Sequence, residues 1–319
     1  MKNGLRIRPL IAGAALIALA ACVSGQSTPE VTPQARPAGL GVPPPQIVRT
    51  PSAKSQALLR KYSRLQTHLL AQGLLRTDGG GPDTYYSAAD LQRNFEQIAF
   101  YDEYAAGGGI KRAARTPGVL RKWTGPVRMN VAFGTNVPAE QRAGDADMVA
   151  RFASRLARVT GHPIAMNNDR PNFTVFFMTA DDGGEAQALL RSIYPNVSSA
   201  NLSLIGNLPR QIYCVVMAFG SATSNASYVR AVAFVRAEHP DLMRRACVHE
   251  EVAQGLGLAN DSPRARPSIF NDDDEFAYLT THDEELLRLL YNPALRPGMT
   301  LDEARPILRG LIAARSGPS

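Results

Sequence analysis

Four short runs rich in β-branched and aromatic residues, at 127–133, 173–179, 213–219 and 229–235, constrain this chain most, because each needs a hydrogen-bonded neighbour. The first alternates with period two, and all four are separated by Gly, Asn and Pro clusters. A long helical pattern over 138–160 follows the first run, and strands are expected to dominate from there to residue 235. Helical patterns resume at 240–258, 283–291 and 301–314. This order predicts an α+β domain, a mixed twisted sheet with helices beside it. No internal repeat is present.

The N-terminus sets the compartment. Residues 1–8 carry Lys2, Arg6 and Arg8 and no acid, and residues 9–21 are almost wholly apolar, ending in Leu19-Ala20-Ala21-Cys22. That reads as a signal peptide (1–21) closed by a lipobox, with cleavage leaving Cys22 lipid-modified at the new N-terminus. The apolar run is shorter than the roughly 18 residues a bilayer span needs. Val23 stands where retained inner-membrane lipoproteins carry Asp, so resemblance to outer-membrane lipoproteins implies a periplasm-facing chain anchored in the outer membrane. Residues 22–51, with Pro29, Pro33, Pro37, Pro43, Pro44 and Pro45, read as a tether.

A helical segment over 52–120 comes next. Leu58, Leu59, Tyr62, Leu65, Leu69 and Leu70 recur with helical period before Gly79-Gly80-Gly81-Pro82. A second pattern, 88–104, presents Leu91, Phe95, Ile98, Ala99 and Tyr101 and stops at Gly107-Gly108-Gly109. Two helices make no sizeable core, so they are expected to pack on the main domain, 121–295, with a C-terminal helix in 296–319.

Of the formal charge of +7, three positive charges belong to the signal peptide, leaving about +4. Without a Lys/Arg run of phosphate-binding length, this argues against a nucleic-acid partner. With Cys22 lipidated, Cys214 and Cys247 remain in an oxidising compartment and are expected to pair, stabilising the fold by roughly 2 to 4 kcal/mol.

The segment His249-Glu250-Glu251-Val252-Ala253-Gln254-Gly255-Leu256-Gly257-Leu258-Ala259-Asn260-Asp261 carries the informative pattern. Read from His249, a zinc HExxH motif fails at Ala253, which has no lone pair. Shifted by one residue, Glu250, Gln254 and Asn260 occupy three ligand places, Glu251 the general-base place and Gly257 the turn. This resembles the metzincin pattern HExxHxxGxxH with all three histidines replaced. Pro267-Ser268-Ile269-Phe270-Asn271 resembles the family's methionine turn with Phe270 at the methionine position, and Leu279 to Tyr291 resembles its closing helix. The resemblance covers roughly 127–292 and implies a zincin-like fold. The whole chain also resembles an uncharacterised bacterial family, the domain of unknown function numbered 2927. That resemblance rests on Gly73-Leu-Leu-Arg-Thr-Asp78, Asn94-Phe-Glu-Gln-Ile-Ala99, Glu250-Glu-Val-Ala-Gln254, Asn260-Asp-Ser-Pro-Arg264 and Pro267-Ser-Ile-Phe-Asn-Asp272. It implies no activity.

Amide oxygens are poor zinc ligands, so the resemblance implies a domain without zinc or other cofactor, in which Glu251 has no metal-bound water to deprotonate. The polar groups are expected to hydrogen-bond one another. The alternative is a metal-dependent hydrolase using Glu251 with calcium, or zinc, held by Glu250, Gln254, Asn260 and Asp261. His249 is expected to be packed or at the surface, and His282 to cap a helix or lie at the surface. His68, His162 and His239 lack partners at ligand spacing, and Asp272-Asp273-Asp274-Glu275 reads as a solvated loop. The sequence therefore suggests a binding protein whose partner is an extended peptide or envelope protein added along the 213–219 edge. A purely structural role, with assembly through 52–104, is the third reading.

Overall fold

The computed structural model describes residues 50–102, 117–221, 223–271 and 273–316. The signal peptide, Cys22, nearly all of the Pro-rich tether, Tyr104, Gly107-Gly108-Gly109 and Asp272 lie outside the described residues. Among the described residues, no helix is long and apolar enough to cross a membrane.

Six strands form one mixed, mostly parallel sheet: β1 (Lys122–Trp123), β2 (Val127–Phe133), β3 (Ile164–Met166), β4 (Phe173–Met178), β5 (Cys214–Ser221) and β6 (Ser224–Arg236). β6 pairs parallel with β1 through Tyr228 and with β4 from Ala231 onward, β4 pairs parallel with β2, and β2 with β3. On its other side β6 turns back antiparallel on β5, with Cys214 opposite Val235 and Ala218 opposite Ala231. β5 thus stands at the sheet's edge, pairing with β6 alone among the described strands.

Both faces of this sheet are covered. On one face, Phe173, Val175 and Phe177 of β4 and Ala231, Ala233 and Val235 of β6 join the main core. Also in that core are α2 (Ala88–Phe100), α3 (Ala139–Thr160), α6 (Asp241–Gly255), α7 (Thr281–Leu290) and α8 (Leu301–Ser316). On the other face, Phe176 and Met178 of β4 and Val232 and Phe234 of β6 pack on α4 (Gly183–Ile193) and α5 (Ser199–Gly206). A strand buried on both sides needs apolar residues at successive positions, which is why β4 reads Phe-Thr-Val-Phe-Phe-Met rather than alternating.

α4 and α5 correct the expectation that strands fill 160–235. Both helices are short, with Ala186 and Leu190 the buried apolar residues of α4 and Ile205 that of α5, and the eight residues of α5 carry little periodicity. Glycine permits their contact: a Cβ on Gly183 would stand 2.2 Å from the Gly206 carbonyl oxygen. With these helices in place, the domain is a mixed α/β layered structure with helices on both faces of a mostly parallel sheet.

The N-terminal helix α1 (Ala53–Ala71) starts where Ser52 Oγ accepts the Ser55 amide. Its Leu58, Tyr62 and Leu69 pack with Leu75, Met243 of α6 and Ala277, so it docks on the helix that carries the candidate site. α2 opens with a capping box of Ser87 and Asp90, and Leu91, Phe95 and Ile98 enter the main core.

Three histidines, His239, His249 and His282, lie inside. His249 is buried, stacks on Phe152 at 4.0 Å and accepts the Leu279 amide at 3.0 Å. Burial pushes its pKa down from 6.5 to about 3, with Arg155 and Arg245 adding to the effect. His239 is lowered well below 6.5 for the same main reason, then by Arg236, Arg244 and Lys61. His282 is also fully buried, edge-on to Tyr86 and hydrogen-bonded to Asn94, while Thr280 caps α7; the surface and capping expectations for His282 do not hold. Below pH 6.5 the unfolded chain takes up protons that the folded His249 refuses, so stability falls as pH drops from 6.5 towards about 3. His249→Gln keeps an acceptor for the Leu279 amide and cannot be protonated. Its melting temperature is expected to fall less steeply than wild type across that window, and equal slopes would contradict the assignment.

Candidate functional site

α6 brings the informative residues to the edge strand. His249, Val252 and Ala253 face inward, while Glu250 is half-buried and Glu251 and Gln254 are buried. The helix ends at Gly255, whose carbonyl accepts Trp123 Nε1 at 2.9 Å, and the next carbonyl, of Leu256, accepts the Tyr291 hydroxyl at 2.9 Å. Two side chains from distant elements therefore hold the last turn of α6 in place. Gly257 then reverses the chain with φ +127°, and a Cβ there would lie 2.3 Å from the Arg121 carbonyl oxygen. Only glycine combines that dihedral with that approach.

The reversal delivers a cleft of about 770 Å³. Every residue from 213 to 220 lines it, so β5 up to Gly220 forms one wall. Ala246, Glu250, Glu251 and Gln254 of α6 form a second wall, Tyr194 and the α4–α5 connection a third, and Asp261, Ile269 and Phe276 belong to the loop that closes it. Arg121 pairs with Asp102 at one end. Glu250, Glu251, Asp261, Asp273 and Asp274 make the lining acidic in a chain that is basic as a whole.

A disulfide joins Cys214 at the start of β5 to Cys247 on α6, with the Cα atoms 5.8 Å apart. It ties the edge strand to the helix across the cleft floor. Behind it, His239 Nδ1 lies 3.7 Å from Cys247 Sγ. Arg236, the last residue of β6, is buried and donates to the carbonyls of Leu208, Pro209 and Ile212, anchoring the loop that leads into β5.

The turn at 267–270 is built around Asp283. The fully buried Asp283 carboxylate accepts Ser268 Oγ at 2.5 Å, the Ile269 amide at 3.0 Å, and the Thr280 amide and hydroxyl at 2.9 and 2.8 Å. Charge-assisted bonds of this number fix both the turn and the start of α7. Phe270 is fully buried and its carbonyl accepts the Ser262 amide at 2.7 Å. The Arg266–Pro267 peptide bond is cis.

The three places aligned with zinc ligands do not converge as donors. Gln254 Nε2 donates to Asp261 Oδ1 at 3.2 Å, which fixes the amide with its NH₂ towards the carboxylate. Asn260 is buried and donates to the Gln97 carbonyl of α2 at 3.1 Å; it does not line the cleft, whereas its neighbour Asp261 does. Amide NH₂ groups cannot ligate zinc, so this set does not fit the zinc that the HExxHxxGxxH pattern holds with histidines. Of the polar cross-link expected among these groups, the Gln254–Asp261 bond forms, while Asn260 bonds to α2 instead. Sequence reading missed Asp283 as the organiser of the turn and Arg236 as the anchor of β5; a lone Asp or Arg in a polar segment carries no local signal. The acidic run is not wholly solvated either, since Glu275 is largely buried and paired with Arg266 and Arg76.

The fold and cleft define a mixed α/β domain whose antiparallel edge strand faces a helix bearing Glu250, Glu251 and Gln254. Residues 88–310 match the family described as protein of unknown function (DUF2927), and the chain belongs to that family. No curated protein and no solved structure matches it.

Gly257→Ala is expected to destabilise the chain by about 2 kcal/mol or more, because the added methyl meets backbone and the dihedral is strained. Urea unfolding reads the change; a midpoint equal to wild type would mean the turn relaxes freely.

Proposed function

We propose that this chain is an envelope lipoprotein, anchored through Cys22 in the outer membrane and facing the periplasm, that holds an extended peptide beside β5 without hydrolysing it. The observation that carries this reading is the edge strand: β5 pairs with β6 alone among the described strands, and all of its cleft-side length lines one groove. A peptide added there gains main-chain hydrogen bonds for affinity, while alternate side chains enter the cleft for specificity. The cleft's volume is in the range of ligand sites. Its acidic lining favours peptides carrying Lys or Arg, by charge complementarity that salt weakens.

Hydrolysis lacks support in the donor chemistry. With Gln254 and Asn260 presenting NH₂ groups to acceptors, Glu251 has no Lewis-acid partner assembled at the family's ligand places. The polar residues instead brace the cleft.

A phage-displayed library of random peptides, panned against the full chain, is expected to yield sequences rich in Lys and Arg. Methylating alternate backbone nitrogens of a selected peptide tests the binding mode: one set of positions should lose about tenfold or more in affinity and the other little. If neither set matters, strand addition is wrong. The same peptide should be recovered intact after incubation with zinc or calcium, and cleavage would favour the hydrolase.

The anchor has its own test. Cys22→Ser is expected to release the chain from the membrane fraction into the soluble periplasmic fraction. Retention in the membrane would overturn the lipid assignment.

A further inference from the structure

One cluster at an end of the cleft carries donor chemistry beyond the charge it lends to the lining. Cys214 Sγ and one carboxylate oxygen each of Glu250 and Glu251 lie within 4.8 Å of one another. Cys247, Glu250 and Glu251 fall at i, i+3 and i+4 on α6, one face of that helix, and Cys214 comes from β5 directly opposite. Tetrahedral zinc holds its ligand atoms roughly 3.5 Å apart, so these donors need to close by about 1 Å, within the reach of side-chain rotation. In the oxidised chain the Cys214 sulfur is spent in the disulfide and two carboxylates alone remain.

We infer that reduction of the Cys214–Cys247 disulfide turns this end of the cleft into a zinc-binding site, with the Cys214 thiolate, Glu250 and Glu251 as ligands. An external dithiol supplies the two electrons: it opens the bond by exchange and leaves as its own disulfide, and both cysteine sulfurs become thiols. Zinc then takes the Cys214 thiolate, and the thiol proton goes to water. Thiolate with carboxylates suits zinc better than calcium, which prefers an all-oxygen shell. Cys247, with His239 Nδ1 3.7 Å from its sulfur, stands behind as a further donor. This ligand set differs from the metzincin places, since it uses neither Gln254 nor Asn260. The site stands whether or not the cleft holds a peptide.

The experiment uses the full chain in detergent, oxidised or reduced anaerobically and then freed of reductant, with cobalt as a coloured probe and zinc in competition. The reduced chain is expected to show a thiolate-to-cobalt charge-transfer band and to bind zinc at least about tenfold more tightly than the oxidised chain, the low end for disturbing a metal site. The double variant Glu250→Gln with Glu251→Gln should retain both thiols and lose about tenfold or more in affinity. If it does not fold, Glu250→Gln alone, at a half-buried position, should still weaken binding. Equal affinity in the two redox states, an undiminished cobalt band in the glutamine variants, or loss of near-ultraviolet circular dichroism on reduction would each overturn the inference.

Discussion

The structure depends on the pairing of one strand. β6 bonds parallel to β4 on one side and antiparallel to β5 on the other over the same residues, Ala231 to Val235. That double pairing places an edge strand of opposite direction beside a parallel core. It also sets where the chain leaves the sheet, so α6 starts five residues after β6 and crosses behind β5. Arg236 reinforces the arrangement. A buried guanidinium, whose pKa burial pulls down, is tolerated because three carbonyls of the loop before β5 take its protons' bonds. Loss of those bonds would loosen the loop that leads into β5.

The end of α6 and the turn that follows it are held by side chains from distant elements. Trp123 and Tyr291 clamp the end of α6, Gly257 reverses the chain, and Asp283 fixes the following turn. A metal ion commonly provides such cross-links between a helix, a turn and a sheet. Here hydrogen bonds and one disulfide join the same elements, and the groove between them is open along β5.

Much of this was legible in the sequence where a segment meets one environment. The period-two run of β2 and the long helical pattern of α3 match their elements closely, as do the three closing helices. The pairing of Cys214 with Cys247 followed from compartment chemistry and is present. What stayed hidden depends on tertiary contact. β1 and β3 have two and three residues, too few for a pattern, and exist because β6 and β2 offer them partners. α4 and α5 are held by a glycine contact and a sheet face supplied from elsewhere. At the site, spacing picked out Glu250, Glu251 and Gln254 as neighbours of a cleft. It could not show that Asn260 turns towards α2 while Asp261 takes the cleft-facing place.

The central claim is that the outer edge of β5 is available for a peptide strand. Residue-resolved amide hydrogen exchange of the chain, alone and with a bound peptide, tests it most directly. Amides of β5 that bond to β6 should be slow in both states, while those pointing into the cleft should exchange fast alone and become protected with the peptide. Protection of every β5 amide in the free chain, or no change on adding peptide, would contradict the account.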